Sequence, residues 1–301
     1  MRAVLLLPAL LVLAGCGGSS QVHYRNPALA LDFPDPFVLK VGDTYYAYAT
    51  NGNGKQVQTA TSQDLVLWRP GPDALPHVAE RWSFNGQTWA PEVLRIGDRY
   101  VLYYATNQQI GRAVATTPLG PFVDDSTAPL VAAPQLGGAI DPSPFRDDDG
   151  SLYLYWKNDG NAIGVKTKIW VQRLSPDGLR VVGPAFQTGE KNDAAWEGQV
   201  VEAPEMVEHD GRYDLFYSGS DYASDAYAVG YATCESAMGP CVDATENPIL
   251  ATACEAHGPG HNAVFGTWTA YHAWNAAHTR RQLWISKLDW KHGKPDVEGP
   301  C

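Results

Sequence analysis

The chain has 301 residues, 45% of them hydrophobic, which is enough for one large domain or two ordinary ones with a sizeable core. A formal charge of -11 without any Lys/Arg cluster excludes nucleic-acid phosphate as a partner. The 10 Trp and 15 Tyr suit β structure, and equally suit stacking on flat ligands such as sugar rings.

Met1 and Arg2 precede an apolar run over 3–13 and then Ala14-Gly15-Cys16. A charged start, a short apolar centre and a small-residue cleavage site predict an export signal over 1–15, too short to span a bilayer. The wording Leu13-Ala14-Gly15-Cys16 resembles the lipobox of bacterial lipoproteins, which implies that Cys16 is lipidated and that the membrane is touched only through that anchor. Residues 16–21 then read as a flexible tether. The expected location is the cell envelope, with plain secretion as the alternative. Four cysteines remain: Cys234, Cys241, Cys254 and Cys301. In an exported chain an even number favours disulfides over metal binding. Of the pairings open to them, Cys234–Cys241 with Cys254–Cys301 is favoured, because the first closes one short loop.

From residue 22 onward, helical periodicity is nearly absent, and short alternating or aromatic runs are bounded by Gly, Asp, Asn and Pro. The first such unit opens on Phe33-Pro34-Asp35-Pro36-Phe37, where the prolines exclude a helix around Asp35. Asp35-Pro36-Phe37-Val38-Leu39-Lys40-Val41-Gly42-Asp43 matches Ala90-Pro91-Glu92-Val93-Leu94-Arg95-Ile96-Gly97-Asp98 position by position. Asp141-Pro142 opens a third copy, Ala203-Pro204-Glu205 a fourth, and Gly260-His261-Asn262 a degenerate fifth. Starts at 35, 90, 141, 203 and 260 lie about 50–60 residues apart, the size of a four-stranded propeller blade. Ala60-Thr61-Ser62, Ala115-Thr116-Thr117 and Ala232-Thr233-Cys234 fall where a third strand belongs. The expectation is an all-β chain: one domain, 22–301, forming a single five-bladed β-propeller with a funnel on its axis. The opening residue of each copy faces that funnel. Three carboxylates placed there repel one another and are costly to desolvate, which a purely structural ring does not need.

The openings resemble those of glycoside hydrolase family 43: Phe33-Pro34-Asp35-Pro36, then Ile140-Asp141-Pro142 with Asp148-Asp149-Gly150, then Val201-Glu202-Ala203-Pro204. The likeness runs on to Arg281-Gln282-Leu283-Trp284-Ile285 and Leu288-Asp289-Trp290. It implies an inverting glycosidase with Asp35 as general base, Glu202 as general acid, and Asp141 orienting Glu202 and raising its pKa. Glu205 and Glu92 match each other in the repeat and are given one shared structural part. Glu197 and Glu208 are the other carboxylates near Glu202, and Asp32 lies close to Asp35 without a following proline.

His261 resembles the family's axial histidine, which implies a calcium or other cation held largely through water. His257 lies four residues away, but the sequence shows neither a zinc-binding His-Glu-x-x-His pattern nor a third ligand. No cofactor is required. Trp89 and Phe37 are the expected substrate-binding aromatics, with blade packing as the alternative for Trp89, and Trp68 is expected to pack in an outer strand. Thr50-Asn51-Gly52-Asn53-Gly54, Gln87-Thr88-Trp89 and Tyr155-Trp156-Lys157-Asn158-Asp159-Gly160 look most like the α-L-arabinofuranosidase and arabinanase branches. The implied partner is a plant-wall pentosan acted on by a monomer. A β-xylosidase and a glycan-binding propeller that cuts nothing are the rivals.

Overall fold

The computed structural model describes residues 24–84 and 86–301. The signal over 1–15, Cys16 and the tether 16–21 lie outside the described residues.

Five four-stranded antiparallel sheets follow one another along the chain, each a simple meander. Their first strands are Phe37–Val41, Trp89–Ile96, Ala139–Arg146, Val201–His209 and His257–Phe265. These strands touch one another around the axis, as the repeat predicts. Blades pack face to face, and each of the five blade interfaces holds its own apolar cluster. Tight turns permit the meander: in the fourth blade, Asp210 (φ 53) and Gly211 (φ 76) join the first two strands, both with positive φ. The three third-strand segments fall on or at the end of third strands (Gln58–Ser62, Gln109–Ala115, Ala228–Cys234), and Trp68 is buried between the fifth and first blades.

The ring closes by backbone pairing between the N-terminal segment and the third strand of the fifth blade. Leu29 and Leu283 bond in both directions, Phe33 N–H donates to Arg281 O (2.7 Å), and Asp32 Oδ1 accepts from Arg281 N–H (2.8 Å). Asp32 therefore serves closure. Both expected disulfides are present. Cys234–Cys241 ties opposed residues of the third and fourth strands of the fourth blade, and Cys254–Cys301 ties the loop before the fifth blade to the C-terminus.

One local device recurs in every blade. Asp35, Ala90, Asp141, Ala203 and His261 all have left-handed φ, between 45 and 54°. In four blades this is a bulge, with three steps on the first strand spanning two on the second, as between Glu202↔Ser218 and Glu205↔Phe216. A left-handed non-glycine residue costs about 1–2 kcal/mol. Side chains of the preceding blade compensate by taking the amide of that residue. Asp35 N–H donates to His272 Nδ1 (3.1 Å) and Ala90 N–H to Thr50 Oγ1 (2.9 Å). Ala203 N–H donates to Asp141 Oδ2 (2.9 Å) and His261 N–H to Ser218 Oγ (2.8 Å). The bulges thus stitch the blades together and re-aim the residues at the mouth of the funnel.

Past the bulges, Glu92 and Glu205 are buried on inner strands. Glu205 Oε1 accepts from Val264 N–H (2.8 Å) and Oε2 from Ser143 Oγ (3.1 Å), which joins three blades. Burial raises Glu205 to about 7, and burial with the Glu205 charge raises Glu92 well above the usual carboxylate range. This agrees with a shared structural part. Because the folded pKa exceeds the unfolded one, folding keeps Glu92 protonated, and that stabilisation is lost as pH rises from about 4.5 towards the folded value. Glu92→Gln has no proton to lose. Its melting temperature relative to wild type is expected to climb between pH 5 and 9, by about 2 °C for each kcal/mol of relieved strain. A gap that stays flat with pH contradicts this account.

Candidate active site

The mouth of the funnel is a cavity of ≈ 390 Å³ to which all five blades contribute. Asp35, Asp141, Glu202, Trp89 and His261 line it together, so the sequence-predicted residues converge, apart from Phe37. A wider recess of ≈ 630 Å³, beside the Cys254–Cys301 disulfide, holds none of these carboxylates.

Phe37 corrects the sequence reading. Its ring packs on Tyr48 (6.3 Å between centroids) in the core between the first two blades. Strand alternation would have put residues 35 and 37 on one face. The left-handed turn at Asp35 breaks that alternation, so the carboxylate faces the axis and the ring faces the core. Trp89, by contrast, lines the cavity and belongs to no core cluster.

Asp35 is buried and held from several sides. Its Oδ1 lies 2.9 Å from Arg281 Nη1 and 3.4 Å from His261 Nδ1, and its Oδ2 accepts from Thr50 Oγ1. Burial alone would raise its pKa, but Arg281 and then His261 outweigh burial and hold it well below the usual range. The 3.3 Å approach of His272 Nδ1 is no ion pair. That nitrogen already accepts the Asp35 amide proton, and burial depresses the His272 pKa to about 4, so the ring is neutral.

Glu202 and Asp141 form the other half of the site. Glu202 is partly open to the cavity, whereas Asp141 is more deeply buried and pinned to Ala203 N–H. Lys157 Nζ lies 3.0 Å from Glu202 Oε2 and 3.5 Å from Asp159 Oδ1, and Tyr227 OH donates to Glu202 Oε1 (2.8 Å). Burial disfavours the Glu202 anion, yet Lys157 and Tyr227 outweigh burial and lower its pKa. Burial raises Asp141 to about 6, assisted by the Glu202 charge and opposed by His261 and Lys157. The charge repulsion expected between Asp141 and Glu202 is present, but on Glu202 it is outweighed by Lys157 and Tyr227. The two repel, but Lys157 sits on Glu202, so the pair takes its first proton on Asp141.

The other carboxylates near Glu202 go elsewhere. Glu197 is buried, bonded to Ala194 N–H and Tyr217 OH, and Glu208 caps the turn at Gly211. Sequence reasoning assigned no role to Thr50, Lys157, His272 and Arg281. The first three lie in the last three residues of a second strand or just past its end, and a polar residue there was the available signal. Arg281 opens the third strand of the fifth blade, its guanidinium 4.9 Å from the ring centroid of Tyr222, another cavity residue.

A cation at His261 finds little protein to hold it. The chain offers one imidazole, whose Nδ1 faces Asp35, and among the described residues His261 belongs to no group of three converging His, Cys, Asp or Glu donors. Oxygen-seeking ions such as calcium take several oxygen ligands, so this donor set reads as a partner for the Asp35 carboxylate.

The chain is 28% identical over 265 residues to a β-D-galactofuranosidase from Aspergillus niger, covering 82% of this chain and 74% of that protein. It is 26% identical to an extracellular exo-α-(1→5)-L-arabinofuranosidase from Cellvibrio japonicus, covering 90% and 88%. Other relatives are longer: a putative β-xylosidase from Xylanibacter ruminicola matches at 28% identity over 67% of this chain, which spans only 36% of it. Among solved structures, a thermostable family-43 glycoside hydrolase superposes with a TM-score of 0.82 at 31% identity, covering 92% of this chain and 96% of that one. The model for glycosyl hydrolases family 43 matches residues 24–295, the whole five-bladed ring apart from its last strand's final residues, and the chain belongs to that family.

Proposed function

We propose that this glycoside hydrolase cleaves α-L-arabinofuranosidic linkages in arabinan or arabinose-containing plant-wall polysaccharide, with inversion. Asp35 is the general base, Glu202 the general acid, and Asp141 the group that positions Glu202 and shares its proton. The observation that carries this reading is the asymmetry of charge in one cavity. Asp35 is kept ionised by Arg281 and His261, while burial, assisted by the neighbouring Glu202 charge, lets Asp141 retain a proton up to about pH 6. An inverting glycosidase needs that combination: one carboxylate to take a proton from water and one group to protonate the departing oxygen.

Glu202 rather than Asp141 reaches the sugar, because it is the more open of the two. As it takes up the proton, Lys157 turns to Asp159. Trp89 offers its face to a sugar ring. The scheme needs no metal ion. A cavity of ≈ 390 Å³ is at the small end for ligand sites and suits one or two sugar units. Two relatives that align along most of their length are named for furanosides, which favours a five-membered ring in the cavity. Two disulfides fit an exported protein, held at the envelope through Cys16 or secreted, and acting as a monomer. The second reading, a β-xylosidase, is favoured by the putative β-xylosidase among the relatives.

Product analysis by proton NMR on linear arabinan, arabinoxylan, xylo-oligosaccharides, and aryl arabinoside and xyloside tests this. Release of arabinose or arabino-oligosaccharide of inverted anomeric configuration is expected. Xylose alone would select the second reading. Saccharide affinity without any product would leave a binding propeller.

A further inference from the structure

We infer that Asp225, His257 and His278 form a binding site for one divalent transition-metal ion of the zinc class, at the rim of the funnel and separate from its carboxylates. His257 Nδ1 lies 3.3 Å and His278 Nε2 3.1 Å from the same oxygen, Asp225 Oδ1. Ligand atoms from the three residues all fall within 4.8 Å of one another. Bonds of 2.0–2.1 Å around a tetrahedral ion place its ligands about 3.3 Å apart, which the two His–Asp spacings match. His257 Nδ1 is shielded from solvent and has no hydrogen-bond partner, although it stands 3.3 Å from the carboxylate. An imidazole lone pair aimed at a point shared with Asp225 accounts for that.

The donors are remote in sequence, which is why His257 showed no third ligand there. Asp225 is in the loop between the second and third strands of the fourth blade. His257 opens the first strand of the fifth blade, and His278 is in the turn before its third strand. Two imidazoles with one carboxylate suit zinc, cobalt or nickel rather than calcium or magnesium, and a three-residue set leaves a fourth position for water. Behind the donors, His278 stacks on Trp274 (centroids 5.7 Å apart), and Trp274 Nε1 donates to Tyr222 O (2.7 Å). A bound ion would therefore clamp the loop that carries Tyr222, a cavity residue, against the turn that leads into Arg281, the partner of Asp35.

The test uses tag-free full chain, stripped with chelator, dialysed against Zn²⁺ or Co²⁺ and assayed for bound metal. One ion per chain is expected, with the strong visible bands of tetrahedral Co²⁺, and with a melting temperature several degrees higher in excess Zn²⁺. The His257→Ala/His278→Ala double variant should lose all three signals, while His292→Ala, which alters an exposed histidine outside the cluster, should keep them. Should the double variant fail to fold, Asp225→Asn serves, with loss of the Co²⁺ bands expected. Failure of the stripped protein to take up Zn²⁺, or an unchanged stoichiometry in these variants, overturns the site. So does tighter retention of Ca²⁺ than of Zn²⁺. None of these readouts depends on glycosidase activity.

Discussion

Glu202→Gln is expected to lower kcat on arabino-oligosaccharides by about 10³-fold, within the range for removing a general acid, while an aryl arabinoside with a good leaving group loses far less. The split follows from chemistry. A sugar alkoxide departs only as it is protonated, whereas a stable phenolate departs unaided. The amide keeps the shape of the side chain and can still accept from Tyr227 OH, and Lys157 retains Asp159 as counter-charge, so the fold should survive. The pH profile adds a second readout. In the wild type, the Asp141–Glu202 pair must hold a proton, so activity falls on the alkaline side as pH rises past about 6, the value to which Asp141 is raised. In Glu202→Gln assayed on the aryl substrate, that limb should be absent. Equal losses on both substrates, or none on either, would remove Glu202 from the role of acid.

The ring was legible because its repeat is written in residues that physics constrains strongly. In the first four copies, proline after the opening residue, a Gly-Asp or Asp-Gly turn a few residues on, and an aromatic second strand together mark where a blade begins; the fifth keeps only part of the pattern. Register then placed Asp35, Asp141 and Glu202 at one mouth. What sequence could not supply was the sense of each bulge. A left-handed φ at Asp35, Ala90 or Ala203 has no signature, since Ala in particular gains nothing there and is held by a neighbour's side chain. That is why Phe37 was assigned to the cavity and lies in the core. Charges borrowed from distant strands were equally invisible. Lys157 sits 45 residues from Glu202, and its ammonium group reverses the direction in which the acid is shifted. Arg281 is 246 residues from Asp35, and nothing in its local pattern separates it from an ordinary strand-edge arginine.

Asp35→Asn should act differently from the acid variant, lowering kcat by about 10³-fold on natural and aryl substrates alike, because water must be activated whatever the leaving group is. Asparagine is the right probe for two reasons. It is one of the few residues that tolerate the left-handed φ of 54° found here, so the local turn and the ring closure stay intact. It also removes the charge without removing an acceptor for Thr50. The loss leaves Arg281 and His261 without their anion, and a melting curve is needed to separate a weakened fold from lost chemistry. Arg281→Met provides the converse. With the guanidinium gone, the Asp35 pKa rises, so the acid-side decline in kcat/KM should move to higher pH while the alkaline limb stays in place. If folded Asp35→Asn kept activity within about tenfold of wild type on both substrates, a loss too small for a missing base, the base would have to lie elsewhere. The basic partners gathered on Asp35 would then serve only to hold the first blade to the fifth.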